Sequence, residues 1–332
     1  MSAARVELDF QPPRALRSPH VQSVLASARP RRPLVERRSA RLRMASVSRL
    51  LVCPDGTRLE ARTALHGDGV PRPLVVALHG WHGSAESLYL LSACGRLFEA
   101  GFDVVRLQLR DHGGTHHLNV ELFHSCRIDE AVQAVAALRR AFPERPLVLL
   151  GFSLGGNFAL RIALRSAEAG LDLDRVVAVC PVLDPGPTME ALEAGWFGYR
   201  RHFLRQWRAS MDAKERVFPD RYDFSQARRL DSLTELTDWF VARYTDFPST
   251  DAYLAGYALT GEVLAPLSVP STVLTALDDP VIPAEGLDRL APSPALRIET
   301  TRHGGHCGFL ADARLSSWLD EVLLARLADL AP

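Results

Sequence analysis

Short apolar runs alternate with amphipathic stretches along most of the 332-residue chain, and this alternation limits the possible fold more than any other feature. The runs are rich in Val, Leu and Ile, which is typical of strands that are buried on both faces of a sheet. Strands of this kind joined by helices form a mostly parallel sheet with helices on both faces. The predicted strands are Leu74–Leu78, Asp103–Leu107, Leu147–Leu150, Val176–Cys180, Thr272–Thr275 and Ala295–Glu299.

Apolar residues at helical spacing lie between these strands and predict crossover helices and a C-terminal helix. A different signal comes before the first strand, where residues 54–56 (Pro-Asp-Gly) form a tight-turn sequence between two extended segments, Ser48–Cys53 and Arg58–Ala64. We therefore expect an antiparallel hairpin at the edge of the sheet. The predicted helices are Ala85–Ala100, Ile128–Ala141, Asn157–Ala169 and Leu315–Leu330.

The alternation stops between about Pro185 and Ser268, where the chain is rich in aromatic and charged residues and has no strand pattern. An insertion of this length between two strands predicts a helical cap over the sheet. The sequence thus indicates one domain that is interrupted once. Residues 1–184 and 269–332 are expected to form its core, and residues 185–268 are expected to form the cap.

Residues 151–155 (Gly-Phe-Ser-Leu-Gly) match the pattern Gly-x-Ser-x-Gly. In a nucleophile elbow, small residues allow a strained turn between a strand and a helix to hold a serine hydroxyl clear of the backbone. Here an apolar strand leads directly into the motif, and helix-forming residues follow it. The segment lacks the features of a phosphate loop or a dinucleotide site, so we predict that Ser153 is a catalytic nucleophile.

A second glycine-rich loop, residues 79–83 (His-Gly-Trp-His-Gly), follows the first parallel strand. Hydrolases with a serine elbow take one backbone N–H of the oxyanion hole from a loop in this place, and the other from the residue after the serine. The predicted donors are therefore the N–H groups of Trp81 and Leu154. The Trp81 side chain would line the acyl pocket, and we expect His79 and His82 to brace the loop.

Two adjacent aspartates, Asp278 and Asp279, follow the predicted strand Thr272–Thr275. A carboxylate just past a late strand is where a hydrolase with this elbow places the group that orients its histidine. The usual spacing puts this acid three residues after the small residue that ends the strand, here Ala276, and directly before a Pro-Val-Ile-Pro turn. This spacing favours Asp279 as the acid and leaves Asp278 as a turn or surface residue.

A loop that contains two histidines, residues 303–309 (His-Gly-Gly-His-Cys-Gly-Phe), follows the last predicted strand. Its glycines would let the loop bring an imidazole back over the sheet towards the serine. We predict that His306 is the general base, with His303 as the alternative. The order Ser153, Asp279, His306 then predicts the α/β-hydrolase fold, with a mostly parallel central sheet, helices on both faces and a helical cap insertion.

A histidine-rich stretch, residues 111–117 (Asp-His-Gly-Gly-Thr-His-His), has His124 beyond it and the composition of a transition-metal site. Its spacing matches no zinc signature of helices or fingers. The stretch follows a strand and would form a loop beside the serine elbow, where polar residues can line a cleft. We expect a scaffold or cleft wall here and no metal, and the predicted chemistry needs no cofactor.

The composition narrows the classes of partner. Acidic and basic residues balance at 39 each, so no net charge attracts nucleic acid or an anionic membrane surface, and a small molecule is the expected partner. The five cysteines are scattered without a disulfide or zinc pattern, which favours a reducing compartment. The sequence has no signal-peptide core near residues 1–14 and no membrane-spanning run, so it predicts a cytoplasmic location.

Several sequence motifs occur together in this chain, and their combination is specific to one group of proteins. They are Phe10 and residues 16–22, 79–84, 123–125, 151–157, 278–280 and 304–309. In these motifs the chain resembles the YheT-like branch of the α/β-hydrolases, which also holds the eukaryotic abhydrolase-domain lipases. The resemblance extends nearly from end to end. It departs at residues 110–114 (Arg-Asp-His-Gly-Gly), where many relatives have an Arg-Gly-rich segment.

Members of this branch are serine hydrolases that act on carboxylic esters, so the resemblance implies an esterase with a small-molecule ester as its substrate. In the expected reaction, Ser153 attacks the ester, His306 takes its proton and Asp279 holds the imidazole. An aromatic cap would also suit a lipase or thioesterase for long acyl chains. A ligand-binding protein that has lost catalysis is the alternative from another class, because a fold does not fix function.

Overall fold

A computed structural model describes residues 5–331 of the chain. Residues 1–4 and 332, which the predicted core ranges include, lie outside the described residues. The strands are β1 (Arg5–Glu7), β2 (Ser46–Val52), β3 (Arg58–Ala64), β4 (Leu74–Leu78), β5 (Asp103–Leu107), β6 (Leu147–Phe152), β7 (Arg175–Val179), β8 (Ser271–Ala276) and β9 (Leu296–Thr301). They form one sheet in the order β1-β9-β8-β7-β6-β4-β5-β3-β2.

The sheet is parallel except where β3 pairs with β2 and with β5. The six predicted parallel strands are confirmed, with ends that differ by no more than two residues. Every residue of β4, β5 and β6 is buried, because helices cover both faces of the sheet. The predicted hairpin, β2 and β3, lies at one edge. Strand β1 was not predicted, since its three residues are exposed and too few to form a pattern.

The helices that were predicted between the strands and at the C-terminus are present, and three further helices precede the hairpin. The helices are α1 (Pro19–Ser27), α2 (Arg32–Arg38), α3 (Ala40–Ala45), α4 (Leu88–Glu99), α5 (Ile128–Ala141), α6 (Leu154–Leu164), α7 (Pro185–Ala194), α8 (Phe197–Val217), α9 (Leu233–Tyr244), α10 (Thr250–Ala255) and α11 (Trp318–Arg326). Short 3-10 helices occupy Arg14–Leu16, Arg29–Arg31, Ala227–Arg229, Glu262–Leu264, Ala284–Arg289 and Ala328–Leu330. None of the helices within residues 5–331 is both long and apolar enough to cross a lipid bilayer.

Two hydrophobic clusters cover the two faces of the sheet. One contains α5 and α6 together with residues of α7 to α10. The other contains α4 and α11, and Phe10 from the N-terminal segment packs into it. The sheet therefore lies between two helical layers, and its carboxyl ends are open to the loops that follow β4, β6, β8 and β9.

The range that was predicted as a cap, residues 185–268, follows β7 and contains α7 to α10. Its aromatic residues pack on one another and on the loops at the carboxyl ends of the strands. For example, the ring of Phe203 stacks on Trp81 with centroids 5.4 Å apart, and Trp207 meets the same tryptophan edge-on at 5.2 Å. These contacts bring helix α8 to the loop after β4.

Candidate active site

Ser153 stands on the sharp turn between β6 and α6. Its backbone has φ 54° and ψ −120°, a conformation that costs energy for any residue with a Cβ atom. The turn depends on its glycines: a Cβ on Gly151 would collide with the carbonyl oxygen of Gly155, and a Cβ on Gly155 would collide with the carbonyl oxygen of Leu78. The motif thus forms the strained elbow that its sequence predicts, with the serine at the apex.

His306, on the loop between β9 and α11, connects the serine to an aspartate. Its Nε2 atom lies 3.0 Å from the Oγ atom of Ser153. Its Nδ1 atom lies 2.8 Å from Oδ2 of Asp279, on the loop after β8. Both distances are those of hydrogen bonds. The structure therefore brings together the three residues that the sequence singled out, although they come from three separate loops.

The two adjacent aspartates have different partners. Asp279 turns its second oxygen, Oδ1, to the backbone N–H groups of Val281 (2.8 Å) and Ile282 (3.0 Å), which fix its carboxylate towards His306. Asp278 accepts a hydrogen bond from the N–H of Gly305 at 2.9 Å. Asp278, which was expected to be a turn or surface residue, thus also holds the histidine loop, whereas Asp279 contacts the imidazole.

The alternative base, His303, points elsewhere. Its Nδ1 atom lies 3.4 Å from Oδ2 of Asp278, and its side chain remains 31% exposed. Burial raises the pKa of Asp278, and the neighbouring Gly305 N–H and His303 act in the opposite direction. His303 and Asp278 form a second, outer pair, and the inner pair of His306 and Asp279 is the one that meets Ser153.

The surroundings of His306 set its protonation. Burial on its own would lower the pKa of the imidazole, but the negative charge and the hydrogen bond of Asp279 outweigh burial and raise the pKa above 6.5. Asp279 also fixes the tautomer, because a carboxylate can only accept and Nδ1 must carry the proton. The neutral ring then presents the lone pair of Nε2 to the hydroxyl of Ser153.

The glycines of the histidine loop serve close packing. Gly305 has φ 55°, and a Cβ at this position would collide with the carbonyl oxygen of Pro19 at the start of α1. Gln22 of the same helix holds the end of the loop, since its Oε1 accepts from the N–H of Leu310 at 2.6 Å and its Nε2 donates to the oxygen of that residue at 3.1 Å. The glycines therefore let the loop pass close to α1.

The predicted oxyanion donors belong to residues that line the same cavity as the serine. Leu154 is the first residue of α6, so its N–H points out of the positive end of the helix. Trp81 lies in the loop after β4 and lines the same cavity as Ser153 and Leu154. Within residues 5–331, neither backbone N–H donates a hydrogen bond to another residue. Both groups are therefore free to bind a ligand oxygen.

The two histidines of the loop after β4 differ from each other. His79 braces the loop as predicted: its Nδ1 lies 2.8 Å from the oxygen of Gly80, and its Nε2 accepts from the N–H of Leu109 at 3.2 Å. Burial lowers the pKa of His79 to about 4, so the ring is neutral. His82 instead packs its ring on Trp81, with centroids 4.3 Å apart, and faces the cavity.

The cavity above Ser153 has a volume of about 100 Å³ and is lined mainly by apolar side chains. Helix α8 supplies Phe203 and Trp207 to its wall, and Phe240 of α9 packs against Trp207 with ring centroids 5.6 Å apart. An apolar lining with a few polar groups is typical of a pocket that binds a small organic molecule. The region that was predicted as a cap therefore forms part of the wall around the serine.

The histidine-rich stretch is built into this wall by hydrogen bonds. Asp111 binds the ammonium group of Lys214 (2.8 Å), His112 binds the backbone oxygen of Arg110 (2.6 Å), and His116 binds the hydroxyl of Ser210 (2.9 Å). These contacts are those of a scaffold that joins the core to α8. Within residues 5–331, one cluster of side chains has the composition of a metal site, and it lies outside this stretch.

That cluster consists of Cys180, His306 and Cys307, whose ligand atoms lie within 4.8 Å of one another. Both ring nitrogens of His306 already make hydrogen bonds, to Ser153 and Asp279. The two sulfur atoms are buried, and Sγ of Cys180 accepts from the N–H of Cys307 at 3.4 Å. The group therefore belongs to the packing of the histidine loop.

Sequence reasoning missed two residues that support the site. Lys214 of α8 is fully buried, and its Nζ atom binds Asp111 and the backbone oxygens of Asn119 (2.7 Å) and Glu121 (3.0 Å). Ser23 of α1 accepts a hydrogen bond from the N–H of His306 at 2.8 Å. The available signals were the solitary lysine of the chain and the N-terminal motif at residues 16–22.

Comparison with known proteins places this geometry in a family. The chain is 25% identical over 338 residues to YheT of Escherichia coli K12, covering 96% of this chain and 95% of that protein. It is 27% identical over 316 residues to ABHD15 of Homo sapiens, covering 92% of this chain and 65% of that protein. These matches confirm the resemblance to the YheT-like branch.

A solved structure shows the same fold, and a family model identifies the wider family. The fold is similar to that of the esterase Pf2001 of Pyrococcus furiosus, with a TM-score of 0.56, 14% identity and coverage of 88% of this chain and 95% of that one. The model of the alpha/beta hydrolase family matches residues 75–318, which include the serine elbow, both aspartates and the histidine loop. This chain belongs to the alpha/beta hydrolase family.

Proposed function

We propose that this hydrolase cleaves carboxylic esters through an acyl-enzyme on Ser153. One observation carries the proposal: Ser153, His306 and Asp279 form a continuous line of hydrogen bonds of 3.0 Å and 2.8 Å. The line begins at a serine on a strained elbow and ends at a carboxylate that two backbone N–H groups hold in place. This is the arrangement that activates a serine as a nucleophile.

In the first half of the reaction, Oγ of Ser153 attacks the carbonyl carbon as its proton passes to Nε2 of His306. Negative charge then develops on the carbonyl oxygen, where the N–H groups of Trp81 and Leu154 stabilise it. His306 next gives the proton to the alcohol oxygen, and the bond between that oxygen and the acyl carbon breaks. The alcohol leaves, and the acyl group remains bound to the serine as an ester.

In the second half, water takes the place of the alcohol. His306 accepts a proton from the water as its oxygen adds to the acyl carbon, and the same two N–H groups stabilise the second oxyanion. The proton then returns to Oγ of Ser153 as the acid leaves. Asp279 stays ionised throughout and stabilises the imidazolium that forms in each half. Every step uses groups of the chain, the ester and water.

The direct test is hydrolysis of 4-nitrophenyl butyrate by the wild-type protein and by Ser153→Ala. We expect the variant to fold normally and to lose at least about 10³-fold in kcat, because the nucleophile is gone. Ser268→Ala, at an exposed serine, is the matched control and should keep the wild-type rate. A wild-type protein without hydrolysis would favour the alternative of a ligand-binding protein. A Ser153→Ala variant with more than a tenth of the wild-type rate would contradict the assignment of the nucleophile.

A lipase or thioesterase that prefers long acyl chains is the second candidate, and the apolar wall from α8 and α9 favours it. Trp207 lines the cavity, whereas Trp196 is 44% exposed on the outside of the same region. Trp207→Ala should therefore move the preferred chain length in a series of nitrophenyl esters from acetate to laurate, and Trp196→Ala should leave the profile unchanged. A wild-type optimum at acetate or butyrate would exclude the long-chain candidate.

A further inference from the structure

Three ring nitrogens in the wall of the cavity that holds Ser153 are buried and lack a hydrogen-bond partner within the part of the chain that the structure describes: Nε2 of His82, Nε2 of His112 and Nδ1 of His124. The rings of His82 and His112 lie together, with centroids 6.0 Å apart, whereas the ring of His124 packs edge-on against Phe247 and Tyr253. Buried polar atoms of folded proteins nearly always have a partner, so two free nitrogens in one pocket indicate a ligand group that binds there.

The hydrogen bond of His112 defines what its free nitrogen can bind. Its Nδ1 atom lies 2.6 Å from the backbone oxygen of Arg110, and because a carbonyl only accepts, Nδ1 carries the proton. The ring is 4% exposed, and burial, followed by repulsion from His79, lowers its pKa to about 3. The imidazole is therefore neutral near pH 7, and its Nε2 presents a lone pair. Such an atom needs an O–H or N–H donor.

The tautomer of His112 is fixed by a hydrogen bond, whereas the tautomer of His82 can change. Within residues 5–331 its ring forms no hydrogen bond that would set the tautomer, and burial lowers its pKa well below 6.5. Its Nε2 can thus carry a proton and donate. A hydroxyl group between the two rings would satisfy both nitrogens, because its proton goes to His112 and its oxygen accepts from His82.

Several other polar groups of the wall have partners, although Nδ1 of His124 does not. The carboxylate of Asp111 is bound by Lys214 and by the N–H of Phe123 at 2.9 Å. The hydroxyls of Thr188 and Thr237 each donate to a backbone oxygen of their own helix region, at 2.7 Å in both cases. The histidine pair is therefore free for a ligand. A ligand carboxylate would be disfavoured here, because the carboxylate of Asp111 would repel it and Nε2 of His112 has no proton to donate.

We propose that His82 and His112 form a subsite for a hydroxyl group of the substrate, so that neutral hydroxylated esters are preferred over their deoxy analogues. This inference rests on the ester hydrolysis proposed above and specifies the substrate class of the same site. It also gives a role to the histidine-rich stretch, in which Asp111 and His116 bind Lys214 and Ser210. A site that is built to bind a hydroxyl discriminates strongly against an analogue without one, because its buried polar groups are then left unpaired.

The test compares kcat/KM within two matched pairs of esters. One pair is the 4-nitrophenyl esters of 3-hydroxybutyric and butyric acid, and the other is the 2,3-dihydroxypropyl and propyl esters of butyric acid. We expect the wild-type protein to prefer the hydroxylated member of at least one pair by about 10-fold or more. His112→Phe and His82→Phe should each bring that ratio towards 1. His112→Gln, which keeps an acceptor at the position of Nε2, should retain part of the preference.

His117→Phe is the control, because this exposed histidine lies on the same loop and should leave the ratio unchanged. Labelling of Ser153 by a fluorophosphonate shows that each variant has folded. A wild-type ratio near 1 in both pairs, with clear hydrolysis of the deoxy esters, overturns the subsite and leaves the proposed function intact. If both phenylalanine variants keep the wild-type ratio of kcat/KM, the subsite is overturned as well. No hydrolysis of any of the four esters overturns both proposals.

Discussion

The backbone N–H of His306 donates a hydrogen bond of 2.8 Å to the Oγ atom of Ser23, a residue of the N-terminal helix α1. The same hydroxyl donates to the backbone oxygen of Pro19 at 2.7 Å. One turn of α1 thus fixes the backbone of the proposed base, and Gln22 fixes the end of the same loop. The N-terminal segment is therefore part of the machinery that positions the imidazole.

Ser23→Ala should lower kcat about fivefold and leave KM nearly unchanged, because the loss of one hydrogen bond of about 1 kcal/mol loosens the histidine without touching the cavity. Ser23→Thr keeps the hydroxyl and should restore much of the rate. Ser27→Ala, at an exposed serine of the same helix, is the control. Steady-state kinetics of the three variants on a nitrophenyl ester provide the measurement. A Ser23→Ala variant with wild-type kcat would show that the contact does not position His306.

Asp279→Asn should reduce kcat by about 10³- to 10⁴-fold, because an amide facing Nδ1 stabilises the wrong tautomer and no longer stabilises the imidazolium. Asp278→Asn should reduce it far less, since its contact is with the N–H of Gly305 and an amide oxygen can still accept there. The comparison is made at saturating ester. Equal losses, or a larger loss for Asp278→Asn, would mean that the acid is assigned to the wrong aspartate.

The rate should depend on pH through His306, which must be neutral to accept the proton of the serine. Because Asp279 raises the pKa of this ring above 6.5, kcat/KM should rise with pH and reach its half-maximal value above pH 6.5. In Asp279→Asn the charge that raises the pKa is lost while burial still lowers it, so the residual activity should reach half-maximum at a lower pH than in the wild type. A shift of the variant's midpoint to higher pH would contradict this account.

Lys214→Met should lower the free energy of unfolding by about 3–5 kcal/mol, because it leaves the buried carboxylate of Asp111 and several backbone oxygens without their cation. Adding Asp111→Asn should recover part of the loss. Arg228→Met removes the ion pairs of a solvent-exposed arginine with Asp212 and Glu215 of α8 and should cost less than about 1 kcal/mol. Urea unfolding measures all three variants. A cost for Lys214→Met as small as that for Arg228→Met would show that the buried contact does not hold α8 to the core.

Features that depend on neighbouring residues could be predicted from the sequence. Strands β4 to β9 are short runs that contain Val, Leu or Ile, and the serine elbow is a local sequence motif in which Gly151 must be small because it contacts Gly155. Gly155 in turn packs against the distant Leu78, a contact that the motif alone does not show. Asp279 was identified from its spacing after a strand, and His306 from its place on the glycine-rich loop after the last predicted strand. The structure adds that the three side chains meet, which the motifs alone could only suggest.

Features that depend on distant residues could not be predicted. Ser23 and His306 are 283 positions apart, and Lys214 and Asp111 are 103 positions apart, so no local pattern connects either pair. Strand β1 is too short and too exposed to have an apolar period, and it is a strand because β9 offers it an open edge. The unpaired nitrogens of His82 and His112 result from the packing of the cavity wall, which no local sequence pattern encodes.

The measurement that tests the central claim most directly is covalent labelling by a fluorophosphonate, followed by identification of the modified residue by peptide mass spectrometry. The reagent reacts with a serine only where a base activates it and an oxyanion hole binds the phosphoryl oxygen. We predict stoichiometric modification of Ser153 in the wild type and none in Ser153→Ala, with strongly slowed labelling in His306→Ala and wild-type labelling rates in Ser268→Ala. An unmodified wild-type protein, or modification of any other serine with equal labelling of Ser153→Ala, would contradict the account.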